Sequence, residues 1–384
     1  MAKIVSIEAT PVRVKRPERL RMAFAGDRSQ AYFGIVVIKD DEGRRGVGEI
    51  SLGWNGGGAF LCRLVNQLLA PRLMGLSPFD IVRAQQIMDE AIVFSLTTNP
   101  AKAAIETAFH DLVGRILNVP VYNLLGGRAR NKILVSRSVA IDTLDDMVLA
   151  SKRYVADGFK ALKIKVGRDF AHDIAVARAI RDAVGEKIIL RVDANMGWGS
   201  CKEALSAVSQ MADLGIHSIE QPLPPSHFDD LVLLRKMSPI PIMLDESVWG
   251  PEEAYRVIQH GAADMMNVYV SEAGGLRNAM QVFSLGQAAG IPCTIGSMFE
   301  LGFGTATALH LAAAVPALCE PADTCGVVYN SENLILSELP VVDGYISPPE
   351  GPGLGVELDD KRIAEVSLTE KDMIARGAAL ATRD

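Results

Sequence analysis

ALKIKVG (Ala161–Gly167), IILRVDAN (Ile188–Asn195), HSIEQP (His217–Pro222) and PIMLDES (Pro241–Ser247) are four short apolar runs, and all four carry charged residues at or near their ends. Each is six to eight residues long and includes at least one β-branched side chain, a length and composition that suit a buried strand. Helical periodicity fills the segments between them. The same rhythm extends outward to VSRSVA (135–140), MMNVYVS (265–271), PCTIGS (292–297) and, more weakly, DTCGVV (323–328). Eight strand-then-helix units require right-handed parallel crossovers, and closing them predicts a TIM-type barrel. Ahead of it, Ile4–Val14, Tyr32–Lys39 and Gly46–Ile50 read as strands, with helical periodicity from about Gly58 to Asn118. RMAFAGDRSQ (21–30) and SLGWNGGG (51–58) read as loops. The fold class is therefore α/β, divided into an α+β unit over 1–125, a barrel over 126–330 and a tail over 331–384. The tail is too short for its own core and is expected to pack back onto the first unit.

The chain has 384 residues, 49% hydrophobic and 22% charged, with a formal net charge of −7. That balance argues against a broad nucleic-acid surface. The five cysteines are scattered without a C-x-x-C pair, so neither a disulfide framework nor a structural zinc site is expected. Ala306–Leu318 is apolar, but His310 and Pro316 interrupt it and it is too short for a bilayer. No apolar leader run is read at the N-terminus, and a cytoplasmic location is expected.

Three acids carry the chemistry. Asp193, Glu220 and Asp245 close consecutive strands and stand 27 and 25 residues apart, about one barrel repeat. Equivalent strand ends lie side by side on one rim, where this fold places its reactive groups. Three convergent carboxylates cannot all stay ionised without a cation. Hard oxygen ligands in that arrangement suit Mg2+, with Mn2+ as an alternative. Lys163 and Lys165 differ by two, so both point to the barrel interior while Leu162, Ile164 and Val166 face the helices. Two ammonium groups beside a dication should repel and favour a neutral lysine, a general base. Lysine plus metal can take a proton from the carbon beside a substrate carboxylate, the enediolate charge falling next to the ion. The pairing of a lysine base with magnesium is a worked pattern of the enolase superfamily. Asn195, two residues past Asp193, could orient water or substrate.

The order K-x-K, D-x-N, E-Q-P, D-E-S and then the glycine pair of SEAGG resembles the muconate lactonizing enzyme subgroup of the enolase superfamily, within the mandelate racemase family. The resemblance also takes in GVGEIS, VYNLLGG and GPGLGVEL, and so runs nearly end to end. It implies an α+β capping domain, completed by the tail, over a (β/α)7β barrel. It implies metal binding by Asp193, Glu220 and Asp245, and acid/base work by Lys165 with Lys163 holding the substrate carboxylate or tuning its neighbour. Glu300 matches an acid that lines the site, and the 21–30 and 51–58 segments match the loops that close over substrate. Dimers or octamers are usual in the family.

One departure bears on the reaction. The sixth strand of many relatives carries N-x-K, and here it reads Asn267-Val268-Tyr269. A mandelate-racemase-type His–Asp pair is also missing, since PCTIGS has no histidine. A neutral tyrosine is a poor base but a usable acid, so two-base racemisation or epimerisation is disfavoured against one-base chemistry. Muconate cycloisomerase-like proton transfer is the leading reading, and an acid-sugar or hydroxy-acid dehydratase its close competitor. A barrel that binds a small carboxylate without turning it over is the non-enzyme alternative. Arg28 suits a polar substrate and Trp54 an apolar one, so the substrate is not legible.

Overall fold

The computed structural model describes residues 2–23, 25–52, 57–93 and 95–381, the side chains at positions 19, 25–28 and 376–381 excepted. Three antiparallel strands open the chain: β1 (Ile4–Met22), β2 (Ala25–Asp40) and β3 (Arg45–Ile50), paired in that order. The DDEGRR turn closes on Asp40, whose carboxylate accepts from the backbone N–H groups of Glu42 and Arg44. One face of this sheet (Ile4, Val36, Ile38 and Ile50) packs with Ile105, Ala108 and Leu112 of the helix Asn99–Leu117. That helix has Pro100 in its first turn and ends at Asn118, which takes the left-handed conformation (φ 56°).

β1 and β2 are far longer than the sequence pattern indicates. The 21–30 segment is the tip of a hairpin and not a loop, with Met22 paired to Ala25. The outer half of β1, KRPERLRM, has a register irregularity between Lys15 and Leu20 and buries few residues. It therefore lacks the period-2 apolar signal that marks a strand. The hairpin reaches over the end of the second unit, where Ile141 N–H donates to Arg21 O and Arg168 Nε to Met22 O.

That second unit is built on seven parallel strands in sequence order: β5 (Arg137–Val139), β6 (Ala161–Lys165), β7 (Ile189–Asp193), β8 (Ile216–Glu220), β9 (Ile242–Leu244), β10 (Met265–Val268) and β11 (Cys293–Ile295). A short β4 (Ile133–Leu134) precedes them and pairs with β12 (Tyr345–Ile346) of the tail. The eighth position is not at DTCGVV, where Gly326–Tyr329 is a 3-10 turn. Instead, residues 318–323 make single bridges, to Cys293 through Leu318 on one side and to Val135 through Ala322 on the other. Pro316 and Pro321 interrupt the regular apolar run there, which is why the sequence pattern slips by several residues.

The tail touches both units. Its β12 pairs with β4 of the second, and in the first Gly353 O accepts from Val121 N–H, Ser367 bridges Val12 and Leu368 N–H donates to Pro11 O. All five cysteines are free. Among the described residues, no helix is long and apolar enough to cross a membrane.

Candidate metal and acid–base site

Register places the charged side chains in layers. Lys163 pairs with Arg191, and Lys165 with Asp193, which in turn pairs with Glu220. Residues in register on neighbouring parallel strands point to the same face, so these side chains all enter the interior. Glu220 is level with Met243, and Asp245 follows two residues later on the same face. Carboxylate oxygens of Asp193, Glu220 and Asp245 lie within 4.8 Å of one another, and all three residues are buried.

Both lysines reach this group. Lys165 Nζ donates to Asp193 Oδ2 at 2.5 Å and to Asn195 Oδ1 at 3.0 Å. Lys163 Nζ donates to Glu220 Oε1 at 3.1 Å and to Asp323 Oδ2 at 2.5 Å. Below them Arg191, wholly buried, donates to Glu220 Oε2 at 2.6 Å and to Asp323 Oδ1 at 3.0 Å. Repulsion beside a bound dication is the expected influence that lowers the lysine pKa values. The acids themselves act oppositely: burial works against the ammonium, but Asp323, Glu220 and Asp193 outweigh it and, without the ion, hold Lys163 well above its ordinary range. Glu220 shows the converse, since burial is outweighed by Lys163 and Arg191, which hold it well below the usual carboxylate range.

Asp245 has no such partner. Burial and the neighbouring Glu246 and Glu220 push it well above the ordinary value. The Tyr269 hydroxyl donates to it at 2.8 Å and Asn267 Nδ2 at 3.5 Å, and it lies in hydrogen-bond contact with Glu220. A trio of buried carboxylates that share a few ångströms, one of them without a cationic neighbour in hydrogen-bond reach, fits a hard divalent cation.

Asn195 joins the two sides. Its backbone, at φ 41°, donates to Asp193 Oδ1, and its amide donates to Glu246 Oε1 at 3.2 Å. Tyr269 sits on the opposite side of the strand order from Lys165, buried beside Gly296. A Cβ at that glycine would stand 2.2 Å from the tyrosine ring, so the small residue makes room for the phenol. Glu300 is buried above β11, where Met298 N–H and Ser297 Oγ donate to its carboxylate. Trp54 and the Arg28 side chain lie outside the described residues.

Three residues escaped the sequence reading. Arg191 alternates with Asp193 on β7, a period-2 signal that was available. Asp323 was hidden because DTCGVV was read as a strand, whereas Gly326–Tyr329 is a 3-10 turn. Glu272 lies in SEAGG, where the glycine pair alone drew notice. That pair packs closely: Gly275, at φ 137°, lies so near Glu106 that a Cβ would meet its Cδ at 2.7 Å. The Glu106 carboxylate accepts from Leu276 and Arg277 N–H, so a side chain of the first unit already caps this helix start.

Residues 5–126 match the family model for the mandelate racemase / muconate lactonizing enzyme N-terminal domain, and residues 146–362 match the enolase C-terminal domain-like model. Chloromuconate cycloisomerase CbnB of Cupriavidus necator is 32% identical over 368 residues, covering 94% of this chain and 98% of that one. The L-Ala-D/L-Glu epimerase of Bacillus subtilis is 36% identical over 299 residues, covering 76% and 79%. The crystal structure of muconate lactonizing enzyme from Pseudomonas fluorescens, complexed with muconolactone, superposes with a TM-score of 0.91 at 27% identity, covering 96% of this chain and 100% of that one.

Proposed function

Because the chain belongs to the mandelate racemase / muconate lactonizing enzyme family of the enolase superfamily, we propose that it is a Mg2+-dependent enzyme that moves a proton at the carbon next to a substrate carboxylate, in the manner of a muconate cycloisomerase. Residues 1–125 and 331–384 form the capping part of this reading and residues 126–330 the catalytic part. The bridges from 318–323 to both Cys293 and Val135 support closure into a (β/α)7β barrel.

Asp193, Glu220 and Asp245 would hold the metal, with Mn2+ as an alternative hard ion. Bound there, the ion supplies the positive charge that makes an enediolate attainable. Lys165 is the acid/base: its Nζ faces the triad, and Asn195 and Asp193 fix its direction. Lys163 is anchored by Glu220 and Asp323, so it stays charged and orients the substrate carboxylate. Tyr269 donates its proton to Asp245 and takes no second-base role. Glu300, Asn195, Trp54 and Arg28 complete the substrate side. Five unpaired cysteines agree with a reducing, cytoplasmic setting.

The observation that carries this reading is a single lysine in acid–base position, with a tyrosine across the triad where a second base would stand. That arrangement favours cycloisomerisation, which needs one delivered proton, over epimerisation, which needs a base on each face. Dehydration remains compatible, since Lys165 can serve as both base and acid. Incubation of small carboxylates with the Mg2+-loaded enzyme in D2O is expected to show exchange at the α-carbon. In Lys165→Ala, exchange should fall by about 10²–10⁴-fold with Mg2+ binding retained. Undiminished exchange in that variant removes Lys165 from the role.

A further inference from the structure

The proton transfer described above leaves Glu272 unused. It lies in the short turn Val270–Ala273 that follows β10 and is 0% exposed. Among the described residues neither of its carboxylate oxygens has a hydrogen-bond partner. Ser271 Oγ and Glu246 Oε2 are buried without partners in the same region. Its charged surroundings are acids: burial, then Glu246 past β9 and Glu300 past β11, hold Glu272 well above the ordinary carboxyl range. Asp245 and Tyr269 also lie near enough to feel its charge.

The basic groups of the site are engaged elsewhere. Lys163 and Arg191 share Glu220 and Asp323, and Lys165 is on Asp193. The β1–β2 hairpin likewise meets the loops after β5 and β6, at Ile141 and Arg168. Glu272 and Glu300 therefore form an acidic wall across the sheet order from the lysines. A buried carboxylate is an acceptor only, and burying it without a donor is costly. A second metal ion does not fit the wall. Among the described residues, the one trio of acids with ligand atoms within 4.8 Å of each other is Asp193, Glu220 and Asp245. Glu246, Glu272 and Glu300 are too widely spaced to share an ion, and a larger cationic group suits them better.

We propose that Glu272, flanked by Glu246 and Glu300, binds a positively charged nitrogen of the substrate, which is therefore an amino or imino acid zwitterion. The inference rests on the enolising reading for the place of the carboxylate, at the metal triad, and parts from the cycloisomerase comparison in the substrate, since muconate is a dicarboxylate. The ammonium then faces Glu272 and offers N–H donors to acceptors that have none. A cationic nitrogen on the α-carbon also acidifies the proton that Lys165 is to take. A dicarboxylate in the same pose would set its distal charge against Glu272 and meet repulsion.

N,N-dimethylglycine and 3-methylbutanoate have the same shape and differ in the charged nitrogen, and succinate supplies the dicarboxylate. Their binding to the Mg2+-loaded enzyme is measured by ligand-observed NMR titration, for wild type and Glu272→Gln. N,N-dimethylglycine should bind at least tenfold more tightly than either competitor, and in Glu272→Gln that preference should fall to about one. Retained Mg2+ affinity and an unchanged circular dichroism spectrum show that the variant is folded; if it is not, wild-type binding at high pH serves instead. There the preference should disappear as the amine loses its proton. Equal or absent binding of N,N-dimethylglycine, or a preference that survives in Glu272→Gln, overturns the subsite. Failure of α-exchange with a preserved preference overturns enolisation alone.

Discussion

Removing Arg191 should be among the most damaging single changes in the interior. Arg191→Met keeps the bulk of the side chain and deletes the charge that Glu220 and Asp323 share at 2.6 and 3.0 Å. All three side chains are buried, and Lys163 is the remaining cation in contact with both acids. Breaking a buried ion pair from one side costs about 3–5 kcal/mol, mostly because the partner charge is left behind. Unfolding entropy of about 2.1 cal/mol/K per residue over 384 residues is roughly 0.8 kcal/mol/K. The expected fall in Tm is therefore about 4–6 °C. Differential scanning calorimetry at neutral pH measures it, with and without Mg2+. Added Mg2+ should recover part of the loss by neutralising Glu220. Combining Arg191→Met with Asp323→Asn should cost less than the sum of the two, because the second change removes an acid the first left unpaired. A loss below about 1 kcal/mol, or simple additivity, would show that the network does not hold Glu220 in the manner argued here.

Two further outcomes follow from the same geometry. Tyr269→Phe deletes the hydroxyl that donates to Asp245, and should weaken Mg2+ binding about tenfold by calorimetric titration. Loss of turnover with undiminished Mg2+ affinity would instead make the phenol a proton donor to substrate, the dehydratase reading. Burial pushes Glu49 from 4.5 up to about 7 although Gly304 N–H, Ser51 Oγ and Leu301 N–H donate to it. A raised carboxyl pKa favours the neutral form in the fold, so its stabilising contribution is complete below 4.5 and is lost as pH rises through 7. Against Glu49→Gln, wild type should lose up to about 3 kcal/mol between pH 5 and 8 in urea titrations; a pH-independent difference contradicts the assignment.

What the sequence disclosed was governed by periodicity. Asp193, Glu220 and Asp245 were legible because a parallel strand must end where its apolar run ends, and equal repeats put equal ends together. Lys163 and Lys165 were legible because a spacing of two fixes a common face. Arg191 obeys the same rule and was missed for lack of a reason to look below the rim. The hairpin tip at Met22–Ala25 was not legible, since a strand with few buried positions has no alternation to display. Asp323 was lost with its strand, whose backbone makes single bridges in place of a ladder. The number of acids around Lys163, Asp323 among them, is likewise something no linear spacing reports.

Glu106 and Glu49 both belong to the first unit, yet one caps the helix that begins at Leu276 and the other accepts from Leu301 and Gly304 N–H beside Glu300. The first unit thus supplies two acceptors that the rim of the second cannot replace from its own backbone. A chimaera that joins this second unit to a relative's N-terminal unit must carry acids at those two positions, or the helix starts nearest the acidic wall will lose their anchors. Grafting the 21–30 hairpin makes a different demand: its carbonyls at Arg21 and Met22 are replaceable by any sequence, but the Arg21–Asp142 ion pair and the buried Met22 side chain are not.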